Sequence, residues 1–364
     1  MPCLPGEGPS IRLRLRSPTE KEARHTAWHA VPSPGPSFRV TEPKITIRLH
    51  RLGRESRYNP LTQSSHEVEG EFMRARKIDV NGVGIQVEDH GGDGPPIILL
   101  HHGGANLRVW DSVIPYLRDT CRCIALDLRA HGRSDAPQAG YHIDDMADDV
   151  SGVMDGLGAG RAHVVGSSIG AEVGLSLAAN QPARVLSLVA EGALSSEYGP
   201  YGVREATSLA DDEAMLKQLR EGAERPEKVY ESVEALVDSV RSLYQKHEIW
   251  HPAMETVLAY GVVETPDGQA VDAWRKWARV AYMENYFNLR VEDYYRRVTC
   301  PVLMLPGEQE AQDEQQFEIM TRLSKLPEQC EIVVVPGAVH PFGWMLIPER
   351  MAAAVLGFLR KIEN

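Results

Sequence analysis

Val165-Gly166-Ser167-Ser168-Ile169-Gly170 is the stretch on which the reading of this chain turns. It holds a Gly-x-Ser-x-Gly pattern, with Gly166 and Gly170 on either side of Ser168. An apolar run over 162–165 leads in and a helical pattern over 171–180 leads out. A serine between two glycines, at the point where a strand becomes a helix, reads as a nucleophile on a sharp turn. The two backbones approach each other there too closely for larger flanking side chains.

Outward from this turn, short apolar runs recur at 97–101, 123–127, 163–166 and 185–190. They return, after a long interval, at 302–306 and 332–335. Before them, 77–80 and 85–88 flank Asn81-Gly82, a hairpin signal because type I′ turns need positive φ at both central residues. Helical patterns fall at 110–117, 143–157, 170–180, 315–326 and 348–362. Strand–helix alternation of this kind predicts a mostly parallel sheet with helices on both faces. Runs without polar alternation, such as Ile97-Ile98-Leu99-Leu100, suit strands buried on both sides.

The interval 196–297 interrupts the alternation. It carries helical patterns at 211–224, 229–245 and 271–287 and many aromatics, among them Trp274, Tyr282 and Tyr286. Its position predicts a helical cap inserted before the last two strands, dividing a core of residues 73–195 and 298–364. Residues 1–72 are rich in Pro, Arg and Ser and lack periodicity. They hold eleven Lys and Arg against eight Asp and Glu, a net of +3, which leaves −15 for the remainder of a chain whose total is −12. They are expected to form a disordered extension.

The acidic balance argues against broad nucleic-acid binding, which rests on cationic surface. No apolar run reaches the length of a membrane span. The five cysteines, Cys3, Cys121, Cys123, Cys300 and Cys330, show no metal-ligand spacing. Cys121 and Cys123 read as alternate faces of one strand. Buried thiols in a reducing cytoplasm are the expectation.

Four local patterns, in order, make residues 73–364 resemble the α/β-hydrolase fold superfamily. His101-His102-Gly103-Gly104 is similar to its oxyanion-loop signature. Asp127-Leu128-Arg129-Ala130-His131-Gly132-Arg133-Ser134-Asp135 is similar to its strand-to-loop segment, with Ala130 where glycine is usual. Gly166 to Gly170 is the nucleophile elbow, and Gly337-Ala338-Val339-His340 resembles the loop of the catalytic histidine.

The resemblance implies Ser168 as nucleophile and His340 as its base, since a hydroxyl is a weak nucleophile at neutral pH. It implies oxyanion donors at the amides of Ile169 and Gly104. A carboxylate must hold the imidazole. Gly307-Glu308-Gln309-Glu310 puts Glu310 in the slot after a strand where the family often carries the acid, with Asp313 three residues on. Some relatives place the acid one strand earlier, where Glu191 ends an apolar run; a glutamate there is costly unless paired. Ser167 is expected to be a bystander.

The activity so implied is hydrolysis of a carboxylic ester, thioester or lactone through an acyl-enzyme, on a small molecule with an apolar acyl or alcohol group. No cofactor or metal is called for. Carbon–carbon hydrolysis of a β-diketone-like substrate and a silent ligand-binding module on the same fold are the alternatives.

Overall fold

The computed structural model describes residues 74–363; the expectation for 1–72 lies outside the described residues. The strands are β1 (Arg74–Val80), β2 (Val83–Asp89), β3 (Pro96–Leu100), β4 (Arg122–Leu126), β5 (Ala162–Ser167) and β6 (Val185–Glu191). They continue as β7 (Val229–Tyr230), β8 (Val262–Glu264), β9 (Ala270–Asp272), β10 (Val302–Met304) and β11 (Cys330–Ile332). The α-helices before β6 are α1 (Ile114–Leu117), α2 (Ile143–Gly156) and α3 (Ile169–Asn180). Between β6 and β10 come α4 (Glu213–Glu224), α5 (Val233–Lys246), α6 (Ala253–Tyr260), α7 (Lys276–Tyr286) and α8 (Val291–Tyr295). The chain closes with α9 (Glu308–Gln312), α10 (Glu314–Leu323), α11 (Gly343–Leu346) and α12 (Pro348–Glu363).

One eight-stranded sheet runs in the order β1-β2-β4-β3-β5-β6-β10-β11. β1 and β2 form the hairpin, with Asn81 and Gly82 both at positive φ and Val80 opposite Val83. From β4 to β11 every neighbour is parallel. The apolar runs divide by the two-residue period of a strand. Ile98, Leu100, Ile124, Leu126, Val164 and Leu188 face a core completed by α2, α3 and α10. Ile97, Leu99, Cys123, Ala125, Val165 and Val189 face a second core completed by α1, α11 and α12. Each fully buried Leu or Ile contributes roughly 1.5–3 kcal/mol, and both faces of the central strands collect it. Helices on both faces of a mostly parallel sheet make the predicted architecture.

Several local expectations need correction. Cys121 and Cys123 share one face, as a spacing of two requires, and both sit in the second core. They are free thiols whose pKa burial raises, to about 11 and about 12. The last strand is Cys330–Ile332 rather than 332–335, in register with β10 through Val302 and Cys330. Within the interval 196–297, the helices predicted from 229 and from 271 begin later. Val229–Tyr230 and Ala270–Asp272 are instead strands of a small antiparallel sheet, order β7-β9-β8. The missed signal is Thr265-Pro266-Asp267-Gly268 between valine-rich runs, a turn that closes by Gly268 N–H donating to Thr265 O at 2.9 Å with Gly268 at positive φ.

Candidate active site

The turn after β5 is sterically dictated by its glycines. A Cβ on Gly166 would stand 2.2 Å from the carbonyl oxygen of Gly170, and one on Gly170 would stand 2.1 Å from that of Leu100. Ser168 between them takes φ 50° and ψ −119°, a conformation that L-residues avoid. A third glycine, Gly192 at the end of β6, lets the neighbouring strand pass: its Cβ would lie 2.7 Å from Ser168 Cα. The Ser168 N–H donates to Glu191 O at 2.6 Å, and the Ser168 carbonyl accepts from Ala171 and Glu172 as α3 begins. The Ser168 hydroxyl caps none of these groups.

His340 stands in the loop between β11 and α11. The loop is held where the chain after β10 passes it: Glu308 N–H donates to Ala338 O at 2.8 Å, and Gly337 N–H donates to Glu308 Oε2 at 2.8 Å. The imidazole Nδ1 lies 2.7 Å from Glu191 Oε1. This is an ion-pair approach, with the ring N–H axis off the line of a well-formed hydrogen bond. The other oxygen of Glu191 accepts from Ser167 Oγ and from Trp344 Nε1, the latter at 3.1 Å. Glu191 is buried, so these partners are what let a carboxylate end an apolar strand.

Glu310, the expected partner of His340, does not reach it. Its Oε2 accepts from Gly307 N–H at 2.7 Å, closing the first turn of its own helix. Asp313 is occupied in the same way, accepting from Gln316 N–H at 2.9 Å at the start of α10. Gly-x-x-Glu and Asp-x-x-Gln are helix-start patterns, and that signal was available in the sequence. Ser167 is no bystander either, since its hydroxyl holds the carboxylate that holds the histidine. Nothing in the sequence marks Trp344 for that role.

Burial disfavours a charged His340, but the Glu191 carboxylate, with Glu310 and Glu172 nearby, outweighs it and raises the imidazole pKa to about 9. The other loop histidines go the opposite way. Burial lowers His101 to about 4 and His102 to about 3. His101 is spent on structure: its Nε2 accepts from Leu128 N–H at 3.0 Å and its Nδ1 meets His102 O at 2.8 Å.

Ser168, His340 and Glu310 border one cavity of about 110 Å³, together with Glu172, Tyr286 and Met320. Gly104 and Ile169 stand outside that lining. Gly103 packs so tightly on Ile169 that its Cβ would come within 2.6 Å of Ile169 Cδ1. Trp274, from the interval between β6 and β10, lies over the same loop: Cβ atoms on Gly103 and Gly104 would stand 2.9 Å and 3.3 Å from its ring. The ring also packs on His131, with centroids 4.8 Å apart.

A family model of the alpha/beta hydrolase fold matches residues 95–311. The chain belongs to the alpha/beta hydrolase fold family. It is 27% identical over 293 residues to 2-(acetamidomethylene)succinate hydrolase of Mesorhizobium japonicum, covering 80% of this chain and 98% of that protein. A crystal structure of E-2-(acetamidomethylene)succinate hydrolase superposes with a TM-score of 0.63 at 26% identity, covering 79% of this chain and all of the other. A putative carbamate hydrolase of Variovorax paradoxus is 41% identical over 114 residues, 30% of this chain and 43% of that protein. These relatives are hydrolases, which makes this chain a member of a hydrolase lineage. Among its described residues, no helix is long and apolar enough to cross a membrane.

Proposed function

We propose that this hydrolase cleaves a carboxylic ester, thioester or lactone by a serine acyl-enzyme mechanism. The observation that carries the reading is the His340 Nδ1 to Glu191 Oε1 approach, 2.7 Å, on the cavity that Ser168 also borders. Glu191 fixes the ring so that Nε2 is left for the substrate side, and it stabilises the imidazolium that forms.

In the first step Ser168 Oγ bonds to the substrate carbonyl carbon while its proton passes to His340 Nε2. The carbonyl oxygen takes the electron pair and meets the amide of Ile169, in the first turn of α3 whose N–H groups lack helical acceptors, and that of Gly104, in the loop after β3. Collapse breaks the bond to the alcohol or thiol, which leaves with the proton from His340. Water then repeats the sequence on the acyl-enzyme and frees Ser168. The interval 196–297 serves as the cap, with Trp274 covering the oxyanion loop and the Tyr282 hydroxyl donating to Glu172 at 2.7 Å.

Glu172 and Glu310 border the cavity, and among the described residues no Lys or Arg does, a lining unlike one built for a dicarboxylate such as a succinate. The test is labelling with a fluorophosphonate. Wild type should be modified at Ser168, located by peptide mass spectrometry, and Ser168→Ala should not be modified. A wild-type protein that stays unlabelled refutes the assignment.

A further inference from the structure

Glu172 lies on the first turn of α3 and borders the same cavity as Ser168, the residue before that helix. It is 5% exposed. Its Oε2 accepts from Tyr282, while its Oε1 has no hydrogen-bond partner among the described residues, although the residue borders the cavity. Glu310 has one oxygen engaged with Gly307 and borders the same space. The tyrosine hydroxyls nearby are already committed: that of Tyr282 to Glu172, and that of Tyr286 to Glu197 Oε1 at 2.8 Å. The charged side chains lining the cavity are Glu172, Glu310 and His340.

We propose that Glu172 makes the cavity a receptor for an ammonium group, so that the substrate carries a cationic amine and not a carboxylate. The proposal rests on the hydrolase reading for the chemistry and on the cavity alone for the recognition. An ammonium group brings donors and no acceptor, which is what a carboxylate oxygen open to this cavity can take up. A charge-assisted N–H···O bond there is stronger than its neutral counterpart. Tyr286 adds an aromatic lining, and its ring stacks on that of Tyr282 with centroids 5.9 Å apart, a surface that suits a cation. A carboxylate ligand would instead meet two like charges wherever His340 is neutral, the state that its role as a base requires. Burial raises Glu172 to about 7, with Glu197 reinforcing the rise. An arriving cation favours its ionised form.

The test is calorimetric titration of the full chain with n-butylammonium, 1-butanol and butyrate at about pH 9.5, where Glu172 is ionised and His340 mostly neutral and an alkylammonium keeps most of its charge. The expected order is butylammonium tighter than butanol by about tenfold, with butyrate weakest. In the isosteric Glu172→Gln the ammonium preference should fall to within about threefold. Butyrate binding as tightly as butylammonium to wild type overturns the proposal whatever the variant does. So does undetectable butylammonium binding, or a preference unchanged in folded Glu172→Gln. Fluorophosphonate labelling of the same preparation keeps the two readings apart: unlabelled protein that still prefers butylammonium sinks the serine mechanism and leaves the ammonium site standing.

Discussion

At the level of single residues, the carboxylate against His340 comes from the end of β6 and not from the helix after β10. Glu191→Gln keeps the shape but loses the charge that orients and stabilises the imidazolium, so kcat should fall by roughly 10⁴. Glu310→Gln and Asp313→Asn touch groups that close helix starts and do not contact His340, and kcat should stay within about tenfold of wild type. Ser167→Ala should fall between, losing on the order of tenfold through one hydrogen bond to a charged group. p-Nitrophenyl ester kinetics on the four variants tests the order, and a Glu310→Gln as crippled as Glu191→Gln would reverse the assignment. The base must be neutral to accept a proton, and His340 titrates at about 9. Wild-type kcat/KM should therefore rise from pH 7 towards pH 9, with a midpoint well above that of a free imidazole. In Glu191→Gln the residual activity should show the midpoint displaced to lower pH. The same raised pKa links to stability with the opposite sense: its contribution is complete below about 6.5 and is lost as pH rises through about 9.

At the level of elements, the strand–turn–helix unit β5–Ser168–α3 depends on missing side chains. Gly166→Ala and Gly170→Ala each force a Cβ to about 2 Å from a backbone carbonyl oxygen, at 2.2 Å and 2.1 Å as built. Backbone cannot yield as a flexible side chain would, so each should cost about 3 kcal/mol or more and abolish labelling of Ser168. A second unit, the loop after β4, is tied to α2 by the buried pair of Arg129 and Asp149, whose oxygens accept from Nε at 2.6 Å and from an Nη at 2.7 Å. Asp149→Ala leaves a buried guanidinium without its counter-ion and should cost about 3–5 kcal/mol by urea denaturation. A loss under about 1 kcal/mol would mean that the pair contributes little beyond an exposed one.

Across the whole molecule, the interval between β6 and β10 does not stand apart from the sheet. Ala278, Tyr282, Leu289, Val291, Tyr294 and Tyr295 belong to the same buried cluster as Ile98, Leu100 and Val173. Tyr294 also donates to Asp144 on α2 at 3.0 Å, and Tyr282 donates to Glu172 on α3 at 2.7 Å. A shared core implies shared cooperativity. Scanning calorimetry of the full chain should give a single transition over these elements, with calorimetric and van't Hoff enthalpies in agreement. Two resolved transitions, one abolished by destabilising α7, would show instead an independently folding cap.

The sequence by itself determined the sheet, its two apolar faces and the elbow, because those depend on local periodicity and on glycines that a close backbone approach demands. It marked Ser168 and His340 by the same kind of local signal. It left the acid open among Glu310, Glu191 and Asp313, and the preference for Glu310 followed a pattern that equally describes the start of a helix. Only the tertiary structure shows which of the three stands against the imidazole. β6 lies beside β5 in the sheet, so Ser167 and Trp344, from separate parts of the chain, converge on the Glu191 carboxylate, which lies against His340. The small sheet β7-β9-β8 and the placing of Glu172 against Tyr282 escaped for the same reason. A two-residue strand or a single buried hydroxyl contact leaves no period in the sequence, and only the packed chain supplies its partner.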